Sequence, residues 1–358
     1  MICKGQDPTF SQFDYNPLYY NPAMTGLIPN TESGIRMNML YRSLWTNVPS
    51  SFNTYSFSAD MQSPCIKSGQ GIIAVNDVEG EGKMITSKIG GLFSYRILLN
   101  KHGDLLQAGA EVDYVQTKID WGKLVFSDQV DSLNGISLPT GNINPNKESS
   151  SFPDFHFGVV TRFQLKYHQR LGSVLLMGFA AHHITEPNES ILGSSAILPM
   201  KLTFHGYWLF ILNNKYHHQD KSFQVGPTFM WEFQDVTNTV FTDFEEPFQT
   251  FDIGLAIKKL PLYFSLAYRN KTPLIVDAPH SDALIVHVAL SESNPDSKIQ
   301  YRIGYSYDLT LSKLSPSTGG SHEISIQMIF PRANPICSAL GLENKNKNKL
   351  KQIPCPGF

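Results

Sequence analysis

Apolar and polar residues alternate one for one along much of this chain, the two-residue period of a β-strand with unlike faces. Between Lys201 and Leu212, Leu202, Phe204, Trp208, Phe210 and Leu212 share one face, while Lys201, Thr203, His205 and Tyr207 share the other. From Ile299 to Leu309, Ile299, Tyr301, Ile303, Tyr305, Tyr307 and Leu309 alternate with Gln300, Arg302, Ser306 and Asp308. From His322 to Phe330, Ile324, Ile326, Met328 and Phe330 alternate with Glu323, Ser325 and Gln327. Tyr55, Phe57 and Met61 alternate with Thr54, Ser56, Ser58 and Asp60. The pattern predicts strands near 34–46, 52–62, 69–79, 85–99, 104–121, 153–165, 171–185, 200–212, 221–234, 249–259, 262–270, 282–292, 298–312 and 322–330. That is about fourteen, each long enough to cross a bilayer at a tilt with its apolar side outward. Short links (101–103, 260–261, 293–297) interleave with longer ones (122–152, 186–199, 235–248, 271–281), as in an up-and-down barrel with periplasmic turns and extracellular loops. No helix of consequence is expected.

Composition narrows this further. The chain has 358 residues, of which 17% are charged and 12% aromatic, with 15 Tyr and 23 Phe. The charged share is below that of ordinary soluble domains. Mean hydropathy is -0.18 and no apolar run reaches about 18 residues, so helical spans are not expected. A strand shows lipid only every second residue, which keeps mean hydropathy low. The expected fold is therefore an all-β, single-chain antiparallel transmembrane β-barrel of about fourteen strands. A net charge of -2 gives no basic field for nucleic acid.

Two stretches depart from the alternation. Residues 1–33 are expected to form an N-terminal segment, periplasmic or plugging the lumen. They hold the pairs Asn16-Pro17 and Asn21-Pro22 and the rings Phe10, Phe13, Tyr15, Tyr19 and Tyr20. Asn-Pro pairs punctuate a path into turns, and that many rings call for burial. Residues 34–330 are expected to form the barrel, and 331–358 a Lys-rich periplasmic tail carrying Lys345, Lys347, Lys349 and Lys351. With an even strand number both termini fall on the periplasmic side. Met1–Gly5 is too short for a signal peptide, so export by a signal peptide not present here is expected, with the chain either nearly mature or starting further upstream. Cys337 and Cys355 bracket the tail, and either two free thiols or a disulfide fits an oxidising compartment.

Candidate chemistry is sparse. No CxxC or zinc spacing occurs. His182 and His183 are adjacent, and neighbours on a regular strand face opposite ways, so one ion could not be shared and no metal site is expected. Ser321, His322 and Glu323 are hydrolase-type side chains, but adjacency is not triad geometry. Neither catalytic residues nor a cofactor are expected. Lys201, His205, Tyr207 and Arg302 are expected to face the lumen. Trp121, at the edge of the longest loop, and Asp128, Gln129 and Asp131 near or within it are candidates for a partner surface, the loop being either that or a floppy cap.

The residues also carry a resemblance. "DPTFSQFDYNPLYYNPAMTG" (7–26), "YRSLWTNVP" (41–49), "IDWGKLVFSDQVD" (119–131), "AAHHITEPN" (180–188), "SDALIV" (281–286), "YRIGYSYDLTLS" (301–312) and "GGSHEISI" (319–326) follow in order. Together they resemble the PorP/SprF family of type IX secretion membrane proteins. The motif positions in the opening are Asp7, Pro8, Phe10, Phe13, Asn16, Pro17, Asn21, Pro22 and Gly26. The resemblance implies a non-enzymatic outer-membrane barrel of the secretion and gliding machinery. Its implied partners are a secreted adhesin, held through its C-terminal secretion domain, and periplasmic ring or peptidoglycan-linked components. An outer-membrane channel or transporter for a small ligand is the alternative.

Overall fold

The computed structural model describes residues 7–28, 34–48, 52–80, 83–100, 103–131, 135–136, 148–168, 171–191, 196–212, 223–234, 248–272, 281–291, 299–311 and 315–331. Fourteen antiparallel strands close into one barrel. In chain order they are β1 (Gly34–Leu44), β2 (Phe52–Ser63), β3 (Ser68–Glu79), β4 (Met84–Leu98), β5 (Leu105–Lys118), β6 (Ser149–His168), β7 (Leu171–His182), β8 (Lys201–Leu212), β9 (Phe223–Gln234), β10 (Phe248–Lys259), β11 (Leu262–Thr272), β12 (Ser281–Ser291), β13 (Gln300–Thr310) and β14 (Ser321–Pro331). Each pairs with its neighbours in sequence, and β1 closes on β14 in the register Gly34↔Pro331 to Leu44↔Ser321. Closure removes the unpaired edges an open sheet would present.

Alternation along each strand sorts the side chains. In β1, Arg36, Asn38, Leu40 and Arg42 are buried inward, while Met39 points outward. In β8, Lys201, Thr203, His205 and Tyr207 face inward, and Phe204 and Trp208 outward. On the outer wall Phe179, Phe204 and Trp231 sit side by side on β7, β8 and β9, with ring centroids 4.7 Å and 5.6 Å apart. The barrel interior is thus polar and its exterior apolar, the reverse of a water-soluble protein.

Several strand boundaries differ from expectation by a few residues, among them those around the link after β5. β6 starts at Ser149 because β5 continues as a partner to Lys118↔Ser149; the serine run there carries no apolar alternation to reveal it. β5 ends at Lys118, since Trp121–Lys123 forms a 3-10 turn in which the Asp120 side chain accepts from Gly122 N–H.

Short helical turns, none longer than four residues, shape the N-terminal segment. Phe13–Tyr15 and Pro22–Met24 are 3-10 turns and Pro17–Tyr20 is one α-helical turn. Proline opens the second and third of these, where its missing N–H is no loss. The segment lies in the lumen. Phe10, Tyr15, Leu18, Tyr20, Ala23 and Leu27 are buried and pack with inward wall residues such as Ile73, Leu105, Val160, Leu176 and Leu209. Each large apolar side chain buried this way contributes roughly 2 kcal/mol.

Candidate functional site

The lumen and the segment filling it form the candidate site. The segment runs along the barrel's length. At one end Arg36, near the start of β1, reaches the carbonyls of Leu27 (3.4 Å) and Met24 (3.2 Å) while pairing with Asp60 at 2.8 Å. Gly26 N–H donates to Asp60 at 2.7 Å. At the other end Asp7 bonds Lys201 at the start of β8 and His183 just past β7. Asp7, the first described residue, therefore sits at the end opposite Pro331. The Asn-Pro turns and the short helices carry the chain between the two ends.

Three places fix this path. Near Asp7's end, Glu323 accepts the backbone N–H groups of Ser11 and Gln12, both at 2.9 Å. Arg42 pairs with Glu323 (2.8 Å) and Asp308 (2.6 Å), and Arg269 pairs with Asp252 (2.6 Å) and donates to the carbonyl of Phe10 (3.0 Å). Mid-barrel, Asn21 Oδ1 accepts from Ala23 N–H at 2.8 Å, and its Nδ2 faces the carbonyls of Val159 and Phe179 and Nε2 of His205. There the wall is glycine: a Cβ on Gly109 would lie 2.5 Å from the Pro22 carbonyl, and one on Gly158 would lie 2.0 Å from Asn21 Oδ1. A Cβ at Gly109 would strike the segment's backbone and one at Gly158 the Asn21 side chain, so only glycine lets the segment come this close. Toward the far end, Gln107 donates to the carbonyls of Ala23 and Thr25 at 2.7 Å and Arg96 to that of Gly26 at 3.0 Å. Buried polar groups are thereby matched to the segment's otherwise orphaned carbonyls.

Asp7 stays ionised. Burial works against its charge, but Lys201 and His183 outweigh it and hold the carboxyl well below its usual range. Burial likewise opposes charge on His183, yet Asp7 and Asp154 push it up to about 9. Asp14 behaves oppositely: burial lifts it to about 7 against the pull of Tyr263, Arg302 and Lys258.

The histidine pair departs from its expected geometry. β7 ends at His182, and His183 has φ +55°, a left-handed conformation. That twist turns His183 inward beside His182, so both rings lie buried in the lumen. His156 joins them, with Asp113 and Asp154 against its Nε2 at 2.8 Å and 3.4 Å. Sequence reading missed His156, Asp154, Asp113, Lys88 and Glu111, although each sits at an inward position of an alternating strand.

The remaining expected residues fall as follows. Lys201, His205, Tyr207 and Arg302 are buried and point inward. Phe10 and Tyr19 pack edge to face at 4.9 Å; Phe13 is partly buried against the same core. Asn16 Oδ1 accepts from Ser56, and Tyr19 donates to the Pro8 carbonyl. Trp121 lies in its 3-10 turn, Asp128 and Gln129 in a second (Ser127–Gln129), and Asp131 in a short ribbon pairing Val130–Asp131 with Gly135–Ile136. Ser321 and Glu323 point inward, but His322 is turned toward Tyr305, 2.8 Å from its hydroxyl, so no triad converges there. Lys345, Lys347, Lys349, Lys351, Cys337 and Cys355 lie outside the described residues. Cys65, after β2, is disulfide-bonded, a pairing the spacing did not reveal.

The family model described as type IX secretion system membrane protein PorP/SprF matches residues 2–328. No curated protein matches the chain. Among solved structures it is similar to a Pseudomonas aeruginosa FadL homologue, at 10% identity over 87% of this chain and 93% of that one, TM-score 0.41. It is also similar to the CymD monoaromatic hydrocarbon channel, at 10% identity, 89% and 93% coverage, TM-score 0.40. The P. putida toluene transporter TodX follows at 12% identity, 86% and 91% coverage, TM-score 0.39.

Proposed function

The chain belongs to the type IX secretion system membrane protein PorP/SprF family, and on that premise we propose that it is a non-enzymatic, plugged outer-membrane scaffold of that system. In this reading the barrel holds a secreted adhesin at the cell surface through the adhesin's C-terminal secretion domain, links to periplasmic ring components, or does both. The observation that supports it most is the filled lumen. Residues 7–28 are bonded to inward side chains on β1, β2, β4, β5, β11 and β14. A barrel of this strand number exceeds the size that wall side chains alone fill, and here a chain segment takes up the interior. A scaffold gains from such filling because the wall becomes rigid and its ends become fixed surfaces. The alternative, a channel for a small ligand, requires the segment to leave or shift.

Affinity purification in mild detergent tests the reading. Full-length tagged protein is expected to recover secretion-system components or a secreted adhesin. A chain cut after Pro331 is expected to lose periplasmic partners, and one lacking residues 122–131 to lose the surface partner. Recovery of neither class by the full chain refutes the scaffold.

A further inference from the structure

At the long-loop end of the lumen, inward residues of three strands converge beside Asp7. Asp154 Oδ2 lies 3.4 Å from His156 Nε2 and 2.6 Å from His183 Nδ1. His156 Nε2 lies 2.8 Å from Asp113 Oδ2. Asp113 and Glu111 also meet Lys88, at 2.5 Å and 3.0 Å. All these carboxylates and imidazoles are buried.

The hydrogen-bond chain constrains the imidazoles. His182 Nε2 is 3.1 Å from the carbonyl of Tyr20, which only accepts, so Nε2 carries the proton. His182 Nδ1 lies 3.2 Å from His156 Nδ1, which the backbone N–H of His183 also approaches, donating at 3.4 Å. On its other side His156 Nε2 faces two carboxylates, those of Asp113 and Asp154. Two carboxylates on one buried ring nitrogen call for positive charge between them, and a proton or a metal ion supplies it.

We propose that Asp154, His156 and His183, whose donor atoms lie within 4.8 Å of one another, bind a divalent transition cation of the zinc class inside the lumen. Two imidazoles and one carboxylate suit that ion and leave its fourth position to water. Metal–ligand bonds of about 2.0–2.1 Å in a tetrahedron set neighbouring donors about 3.3 Å apart. The 3.4 Å contact already meets this, and the 2.6 Å contact needs to open by less than about 1 Å. Lys88 keeps Glu111 and Asp113 as its partners. Both imidazoles already have their other nitrogen engaged: His156 Nδ1 by His182, and His183 Nε2 by Asp7 at 3.0 Å. That is the outer-shell arrangement metal-ligating histidines adopt. The ion takes the place of the protons now shared with the carboxylates and releases them on binding. Through His183 it also tightens the hold on Asp7, so the site joins the segment to the wall.

The test uses the full chain, folded in detergent, stripped with chelator and titrated with Zn2+ and separately with Co2+. One saturable equivalent of each is expected, with cobalt giving the intense visible bands of a four-coordinate ion. His156→Asn and His183→Asn are expected to weaken binding at least tenfold, and Asp7→Asn about tenfold through the outer shell. His322→Gln, whose ring lies away from the site, is expected to leave affinity unchanged. Absence of a saturable equivalent in the wild-type chain, six-coordinate cobalt spectra, or binding unaltered by both histidine variants overturns the proposal. The wild-type cobalt spectrum decides the matter even where a variant fails to fold.

Discussion

The side chain of Asn21 rests on the bare backbone of Gly158, so close that a Cβ at that glycine would fall 2.0 Å from Asn21 Oδ1. The wall is hollowed where the segment is thickest, and filling that hollow is expected to unseat the segment. Gly158→Val should open the lumen, read as ion conductance in planar bilayers well above wild type. Gly91→Val, on a position whose Cβ meets nothing within 4 Å, should leave conductance at the wild-type level. Equal conductance in the two variants would contradict the seating described.

Asn21 itself works through both ends of its amide. Asn21→Ala removes the cap on Ala23 N–H, at a cost of about 1 kcal/mol, and the amide's contacts to the carbonyls of Val159 and Phe179. Asn21→Asp retains the cap but sets a carboxylate against those carbonyls. It is expected to destabilise by about 2 kcal/mol more than alanine. Urea unfolding of the refolded barrel, followed by the heat-dependent gel shift, ranks the two.

Glu323 is expected to be the most costly single polar position. It receives two backbone N–H groups and one guanidinium nitrogen. Glu323→Gln leaves Arg42 buried with Asp308 as its acidic partner. A loss of about 3 kcal/mol follows from stranding part of a buried charge. Susceptibility of residues 7–12 to added protease should rise in parallel.

Asp14 gives a pH dependence. Its carboxyl lies at the short-turn end, 3.3 Å from the Tyr263 hydroxyl, with Arg302, Lys258 and Tyr15 around it. Burial lifts it from 3.8 to about 7, so the folded state binds the proton more tightly than the unfolded chain. Its stabilising contribution is complete below 3.8 and is lost as pH rises through about 7. Segment seating should be firmer at pH 5 than at pH 8. Asp14→Asn should flatten that slope, measured as the unfolding midpoint across the range.

All fourteen wall strands were legible from alternation, because one face of each meets an apolar surround and the other a polar interior. Boundaries failed where residues are polar on both faces, as at Ser149–Ser151. The N-terminal segment was legible as something buried, since its rings demanded it. Its course was not, because its bonds reach residues as distant in sequence as Glu323. The histidine cluster was hidden for a local reason. A strand rule applied to His182 and His183 gives opposite faces, and a single left-handed residue at 183 cancels the rule.

The register sets Arg42 of β1 opposite Glu323 of β14, the junction at which the first and last strands meet. Ser11 sits across that junction, its Oγ accepting from Arg42 at 2.9 Å and its N–H donating to Glu323 at 2.9 Å. The seam is therefore bolted from within. Parting the first and last strands along this line would have to break these bonds as well as the ladder from Gly34↔Pro331 to Leu44↔Ser321.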